Sequence, residues 1–321
     1  MEIDRKELKR RSREAMGLTH PRFWIVTLVY LLMTFGVSDL FSFLPLPSDS
    51  ETGFSTLAFF ATIFLLLYKV VVDFGFDLWS LWASRKLNPG LGSLIQGFSV
   101  AGRVILMKLL ILARIMLWAL GLSFVALLPL LLMDSLASFP FLIFVVIGLL
   151  YAVVWVLMLR YALAPYLLAD RPDDGAGAAV RLSAELMRGW MWELFRLEFS
   201  FLGWILLSLL LSSLAFILSM WHAGVFHALA TFSVQEVPEL LAGYSIWQSG
   251  LPLDLFPLTS DQIDLYSLYT TASDSMWTTL LADLLALPLA VWLTPYRSVA
   301  RAGFYDARIQ LQRESVDPLP L

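Results

Sequence analysis

Cysteine is absent from this chain of 321 residues, and charge is scarce: Asp, Glu, Lys and Arg together make up 15% of it. The first absence excludes disulfides, thiolate metal ligands, thiol nucleophiles and S-palmitoylation. The second excludes an ordinary soluble domain, which carries about 25% charged residues. With 59% hydrophobic residues and a mean hydropathy of +0.76, the chain lacks the polar surface to cover itself in water. Histidine is nearly missing as well. His20, His222 and His227 are all there is, and neither outer histidine has a carboxylate at metal-ligand spacing, so no metal and no other cofactor is expected. No Walker A loop, dinucleotide fingerprint, HExxH helix or GxSxG elbow occurs, and nothing sets a nucleophile beside a base; the chain reads as no enzyme. The basic residues are few and flank apolar runs, which argues against nucleic acid as a partner.

What is present is apolar length. A helix needs about 20 mainly apolar residues to cross hydrocarbon. Six segments meet this: about 23–44, from 54 until the chain turns polar after Tyr68, 115–133, 139–159, 199–221 and 276–295. The first follows a basic arm, MEIDRKELKRRSR, but is too long for a signal-peptide core, so it reads as a retained span. The expected fold is an all-α polytopic membrane bundle of six transmembrane helices, a single transmembrane domain over residues 1–321.

The connections alternate in charge. The arm, the link with Arg85, Lys86, Arg103, Lys108 and Arg114, the link with Arg160, Arg171, Arg181, Arg188 and Arg196, and the tail with Arg297, Arg301, Arg308 and Arg313 are all basic. Between them, Pro45–Gly53 and the turn near Asp134 contain no Lys or Arg. The segment 222–275 also has none, but contains Glu236, Glu239, Asp254, Asp261, Asp264 and Asp274. Positive charge stays on the cytoplasmic side. Both termini are therefore expected in the cytoplasm, and 222–275 is expected as an acidic extracytoplasmic insertion, partly helical and open to a protein partner.

Two basic connections look interfacial. Residues 87–107 mix apolar residues with Gly, Ser and Arg103 after the Asn88-Pro89-Gly90 turn, and are expected to lie along the membrane before turning in. Residues 170–195 place Ala179, Leu182, Leu186 and Leu194 at helical spacing, which predicts an amphipathic helix with Asp173 or Asp174 as cap. Membrane lipids are the expected partners of these faces and of the N-terminal arm.

Charges at depth are costly unless paired or hydrated. In YKVVVDFGFDLW, Lys69, Asp73 and Asp77 are spaced i, i+4, i+8 and share one helix face. Asp283 is a single carboxylate in the last span. These four form either a structural network or a polar cavity. In RLEFSFLGW, Glu198 stands at the threshold of the fifth span, where early-turn N–H groups or a nearby arginine would hold it, and Ser200 and Gly203 leave room for close helix approach. Glu193, Glu198, Arg297, Arg301 and Arg308 form a candidate interfacial network. The prolines of APY (164–166) and TPY (294–296) both fall at span ends and are expected to bend the chain there.

Met187–Trp204, MRGWMWELFRLEFSFLGW, and Thr294–Ile309, TPYRSVARAGFYDARI, resemble the DUF975 family of bacterial integral membrane proteins of unknown function. KELKRRSREAM and NPGLGSLIQGF are similar too, and the resemblance covers most of the chain in order. It implies a polytopic fold in the bacterial cytoplasmic membrane and carries over no reaction; the long acidic segment departs from the family pattern. The function that follows is a non-enzymatic scaffold that organises lipid or a partner. The alternative is a secondary transporter or channel-like protein with a polar cavity at Lys69, Asp73, Asp77 and Asp283.

Overall fold

The structure is a computed structural model and describes residues 4–42, 56–132, 140–249, 258–273 and 275–316. Pro45–Gly53, the turn at Asp134, Asp254 and Asp274 lie outside the described residues. Among those described, all regular structure is helical. Six helices are long and apolar enough to cross a membrane: Phe23–Phe41, Thr56–Ser84, Gly92–Val125, Val145–Asp170, Leu202–His222 and Met276–Glu314. The protein is a multi-pass all-α membrane protein.

In chain order the helices are α1 (Arg5–Gly17), α2 (Phe23–Leu31), α3 (Val37–Ser42), α4 (Thr56–Ser84), α5 (Gly92–Gln96), α6 (Ala101–Leu132), α7 (Pro140–Arg160), α8 (Ala164–Asp170), α9 (Gly175–Leu186), α10 (Met191–Phe199), α11 (Leu202–His222), α12 (Val225–Leu229), α13 (Val237–Ser249), α14 (Ser260–Ser273) and α15 (Met276–Val316). A π-turn, Leu32–Gly36, joins α2 to α3 within the first span.

Several boundaries differ from the sequence expectation. The interfacial connector before the third span is only α5 and a single 3-10 turn, because α6 already begins at Ala101. Arg103 is tolerated there since it sits in the first turn and donates to Pro172 O at 2.8 Å. The stretch 170–195 holds two helices, α9 and the start of α10, rather than one: Gly189, at φ +81°, takes a left-handed conformation that a β-carbon disfavours, and the chain turns between them. Asp174 precedes α9 without a side-chain cap bond. The prolines act differently from each other. Pro165 opens α8, whereas α15 continues through Pro295 to Val316. Gly203 has open space around it, so the close helix approach is not there.

The close approach is at Gly75 and Gly97. A Cβ on Gly75 would stand 2.3 Å from Leu94 O, and one on Gly97 would stand 2.7 Å from Val71 O. Backbone meets backbone where α4 crosses α5 and the 3-10 turn that follows it, and only hydrogen fits between them.

The chain divides into two compact units, residues 1–201 with 291–321, and residues 202–290. In the first, α4 packs against α1, α5, α6 and α8, α9 packs on α6 and α8, and α10 on α7. Its core is gathered at the end of the spans that carries the basic connections, called here the basic end. Phe74, Trp79, Leu81, Leu94, Met107, Leu163, Tyr166, Leu168, Met187, Phe201, Phe304 and Tyr305 are the fully buried large side chains. α1 joins this core through Leu8, Ser12, Ala15 and Met16, an i, i+4, i+7, i+8 stripe on an otherwise charged helix. The far halves of α4 and α6 keep Phe60, Phe64, Leu66, Leu117 and Phe124 exposed.

The second unit folds the acidic segment onto its own core. Met220, Val225, Leu240, Leu265, Tyr266 and Ala272 are buried together, with Phe232, Tyr244, Trp247 and Tyr269 packed around them. Tyr266 donates to Leu240 O at 2.8 Å, so its hydroxyl is satisfied on burial. Thr259 and Gln262 bond reciprocally, backbone N–H to side chain, and form a capping box at the start of α14.

Candidate functional site

Glu198 lies at the end of α10, one residue before the exposed ring of Phe199, and is only 6% exposed. Arg297 and Arg301, one turn apart on α15, both face it. Arg297 Nε donates to Glu198 Oε2 at 2.5 Å and Arg301 Nε donates to Oε1. Burial pushes the carboxyl pKa up; the two guanidiniums, Arg301 foremost, outweigh that and hold it below the usual glutamate range. The carboxylate bonds run to these arginines rather than to early-turn N–H groups.

The other two members of the expected interfacial network sit apart from this triad. Glu193 pairs with Arg196 at 3.2 Å, within its own helix. Arg308 donates to Leu186 O at 3.0 Å and lies over the Trp190 ring at 4.8 Å.

The stripe at depth resolves into separate contacts. Asp73 accepts from Tyr30 OH at 2.9 Å, and the Tyr30 ring stacks on Phe76. Lys69 is exposed, with its ammonium 5.3 Å from the centre of the Phe35 ring. Among the described residues no ion pair joins Lys69 to either aspartate. Asp77 is half-buried, and the cations whose field reaches it are Lys108 and Arg301. Asp283 belongs to the second unit and is exposed on α15.

A further network was not legible in the sequence. Arg85, just past α4, grips Asp170 at the end of α8 with two parallel bonds of 2.7 Å. It also donates to Asp306 Oδ1 of α15 from Nε at 3.0 Å and from Nη2 at 2.7 Å. Tyr305 OH donates to Asp170 at 2.8 Å and Ser84 to Asp306 at 3.2 Å. The acids lie 85 and 221 positions from Arg85 in the chain, beyond any local spacing rule. The Asp170 bonds, the largest influence, push the Arg85 pKa up.

Two concavities open at the basic end. A cleft of about 1040 Å³ contains the Arg85–Asp170–Asp306 network together with Arg11, Arg171 and Arg313. A smaller pocket of about 150 Å³ is formed by Leu293, Thr294, Arg297, Ser298 and Arg301. Neither is lined by Lys69, Asp73, Asp77 or Asp283. Among the described residues no three His, Asp or Glu side chains come together to hold a metal ion. What the site offers chemically is fixed, half-buried positive charge at the ends of apolar helices.

The model of one family, described as protein of unknown function (DUF975), matches residues 1–312, and the chain belongs to that family. No curated protein and no solved structure matches it.

Proposed function

We propose that this member of the DUF975 family is a non-enzymatic protein of the bacterial cytoplasmic membrane, with both termini in the cytoplasm, that organises lipid or a partner protein. One contrast carries the reading. At the basic end, extramembrane helices and span ends are locked together by buried side chains and ion pairs, while the apolar windows of the first four spans are only 11–22% buried. A frame that is rigid at one end and presents open apolar faces along its length suits holding something in the bilayer. The alternation of basic and non-basic connections supports the orientation.

The test is affinity purification of the full chain from native membranes in mild detergent, with proteomics and lipid mass spectrometry on one eluate. A stoichiometric protein or one enriched lipid class is the expected result. A monomer free of both overturns the reading.

Transport is the second reading, favoured by Asp73 and Asp77 standing half-buried in a span within the fields of Lys69 and Lys108. It requires ion or proton flux in vesicles that Asp73→Asn and Asp77→Asn abolish while the protein stays folded.

A further inference from the structure

The last helix bears a row of polar groups at i, i+3, i+4 and i+7: Thr294, Arg297, Ser298 and Arg301. Together with Leu293 they form the open pocket of about 150 Å³, a volume that in other proteins accommodates a benzene-sized molecule. Each arginine engages Glu198 through Nε alone, so both Nη groups of each have no hydrogen-bond partner among the described residues. An arginine presents five N–H donors in a rigid fork suited to phosphate oxygens. Both side chains line the pocket and keep about a third of their surface open, 38% and 33%. The hydroxyls of Thr294 and Ser298 likewise have no partner among the described residues, and each can donate.

The charge around the pocket is unbalanced. Glu198 neutralises one of its two arginines, and the further carboxylate in Arg301's field is Asp77. Two more cations stand on α1 at the same junction. Lys9 donates to Ser200 O at 3.3 Å and lies 4.4 Å from the centre of the Phe201 ring, and Arg13 lies over Tyr296. Burial first, then repulsion from Arg13 and Arg5, lowers the Lys9 pKa.

The level in the membrane is marked independently. No charge interrupts α15 between Asp283 and Arg297. Beside the triad, Trp192, Phe195 and Phe199 stack in sequence at 4.7 and 5.7 Å, and Trp192 and Phe199 are 57% and 56% exposed. Exposed aromatic rings at the end of an apolar run mark the headgroup layer.

We propose that this pocket binds a phosphate group, held by the Nη groups of Arg297 and Arg301 and the hydroxyls of Thr294 and Ser298, and that an anionic phospholipid supplies it. The inference rests on the lipid-organising reading above and names the chemistry that one of its sites takes.

The experiment uses the delipidated full chain in detergent and native mass spectrometry. Phosphatidylglycerol, phosphatidylcholine and inorganic phosphate are titrated separately against the wild type and against Thr294→Val/Ser298→Ala. That variant leaves the Glu198 pairs in place, and a thermal unfolding scan checks its fold. A second variant, Glu198→Gln/Arg297→Gln, removes an acid and a base together. The expected result is one tightly held phosphatidylglycerol, weakened at least fivefold in the first variant and tenfold in the second, with phosphatidylcholine weak throughout. If inorganic phosphate alone binds, and the first variant abolishes it, the phosphate site stands and its source is soluble. Equal retention of phosphatidylglycerol by the wild type and both folded variants overturns the site, as does equal binding of phosphatidylcholine. A lipid that still co-purifies from native membranes in that case leaves the broader reading intact.

Discussion

Arg301 donates its Nε–H to the carboxylate of Glu198 although the two residues are 103 positions apart in the chain. The bond ties the last helix to the helix that leads into the fifth span. It joins a buried anion to a cation that a second arginine, Arg297, reinforces from one turn away.

Glu198→Gln keeps the shape of the side chain and removes its charge, leaving Arg297 and Arg301 to repel each other. Breaking a buried ion pair costs about 3–5 kcal/mol. Both arginines keep about a third of their surface in solvent, which screens them, so a loss at the low end, about 3 kcal/mol, is expected. Thermal unfolding in mild detergent measures it.

The same pair sets a pH dependence. The folded Glu198 pKa lies below its unfolded value, which is about 4.3. Its contribution is therefore fully present above about pH 4.3 and is lost as pH falls through the folded pKa. The stability difference between wild type and Glu198→Gln is expected to be constant from about pH 6 to 8 and to shrink below the ordinary glutamate range. Unfolding of both proteins across that interval checks the sign; a gap that widened in acid would contradict it.

Gly75→Ala should be among the most damaging single-methyl changes in the chain. The new Cβ would lie 2.3 Å from Leu94 O, a backbone atom that cannot rotate away. Overpacking costs about 1–3 kcal/mol and occasionally more, so at least about 2 kcal/mol is expected here. Gly102→Ala, in a helix with nothing within 4 Å, is the control. It is expected to be neutral or to stabilise by about 0.5–1 kcal/mol through helix propensity. Comparing folded yield and melting of the two variants decides it.

Arg85→Lys preserves charge but removes the fork. A lysine cannot make two parallel bonds to Asp170 and also reach Asp306, so α4, α8 and α15 lose a common tie. A loss of about 1–2 kcal/mol is expected: several charge-assisted bonds are lost, each of about 1.5–3 kcal/mol when buried, but all three side chains keep about a quarter to a third of their surface in solvent, which screens them. If melting is unchanged, the cluster does not hold the helices together.

The amino-acid order alone establishes that this chain lives in a membrane, with six helices long and apolar enough to cross it. Hydropathy is additive along a helix, so runs such as Leu202–His222 declare themselves without knowledge of their neighbours. The order also singles out Glu198, Arg297 and Arg301 as charges in need of partners, since an unpaired charge beside hydrocarbon is costly. Which charge meets which emerges only when the helices pack. Glu198 has two arginines, while Glu193 turns to Arg196 and Arg308 to the carbonyl of Leu186. Arg85 finds acids on two distant helices, and Gly75 meets Leu94 across a crossing that no periodicity announces. Those contacts depend on how helices cross, and crossing is fixed by the shapes of both partners together, which a pattern read along one chain segment does not contain.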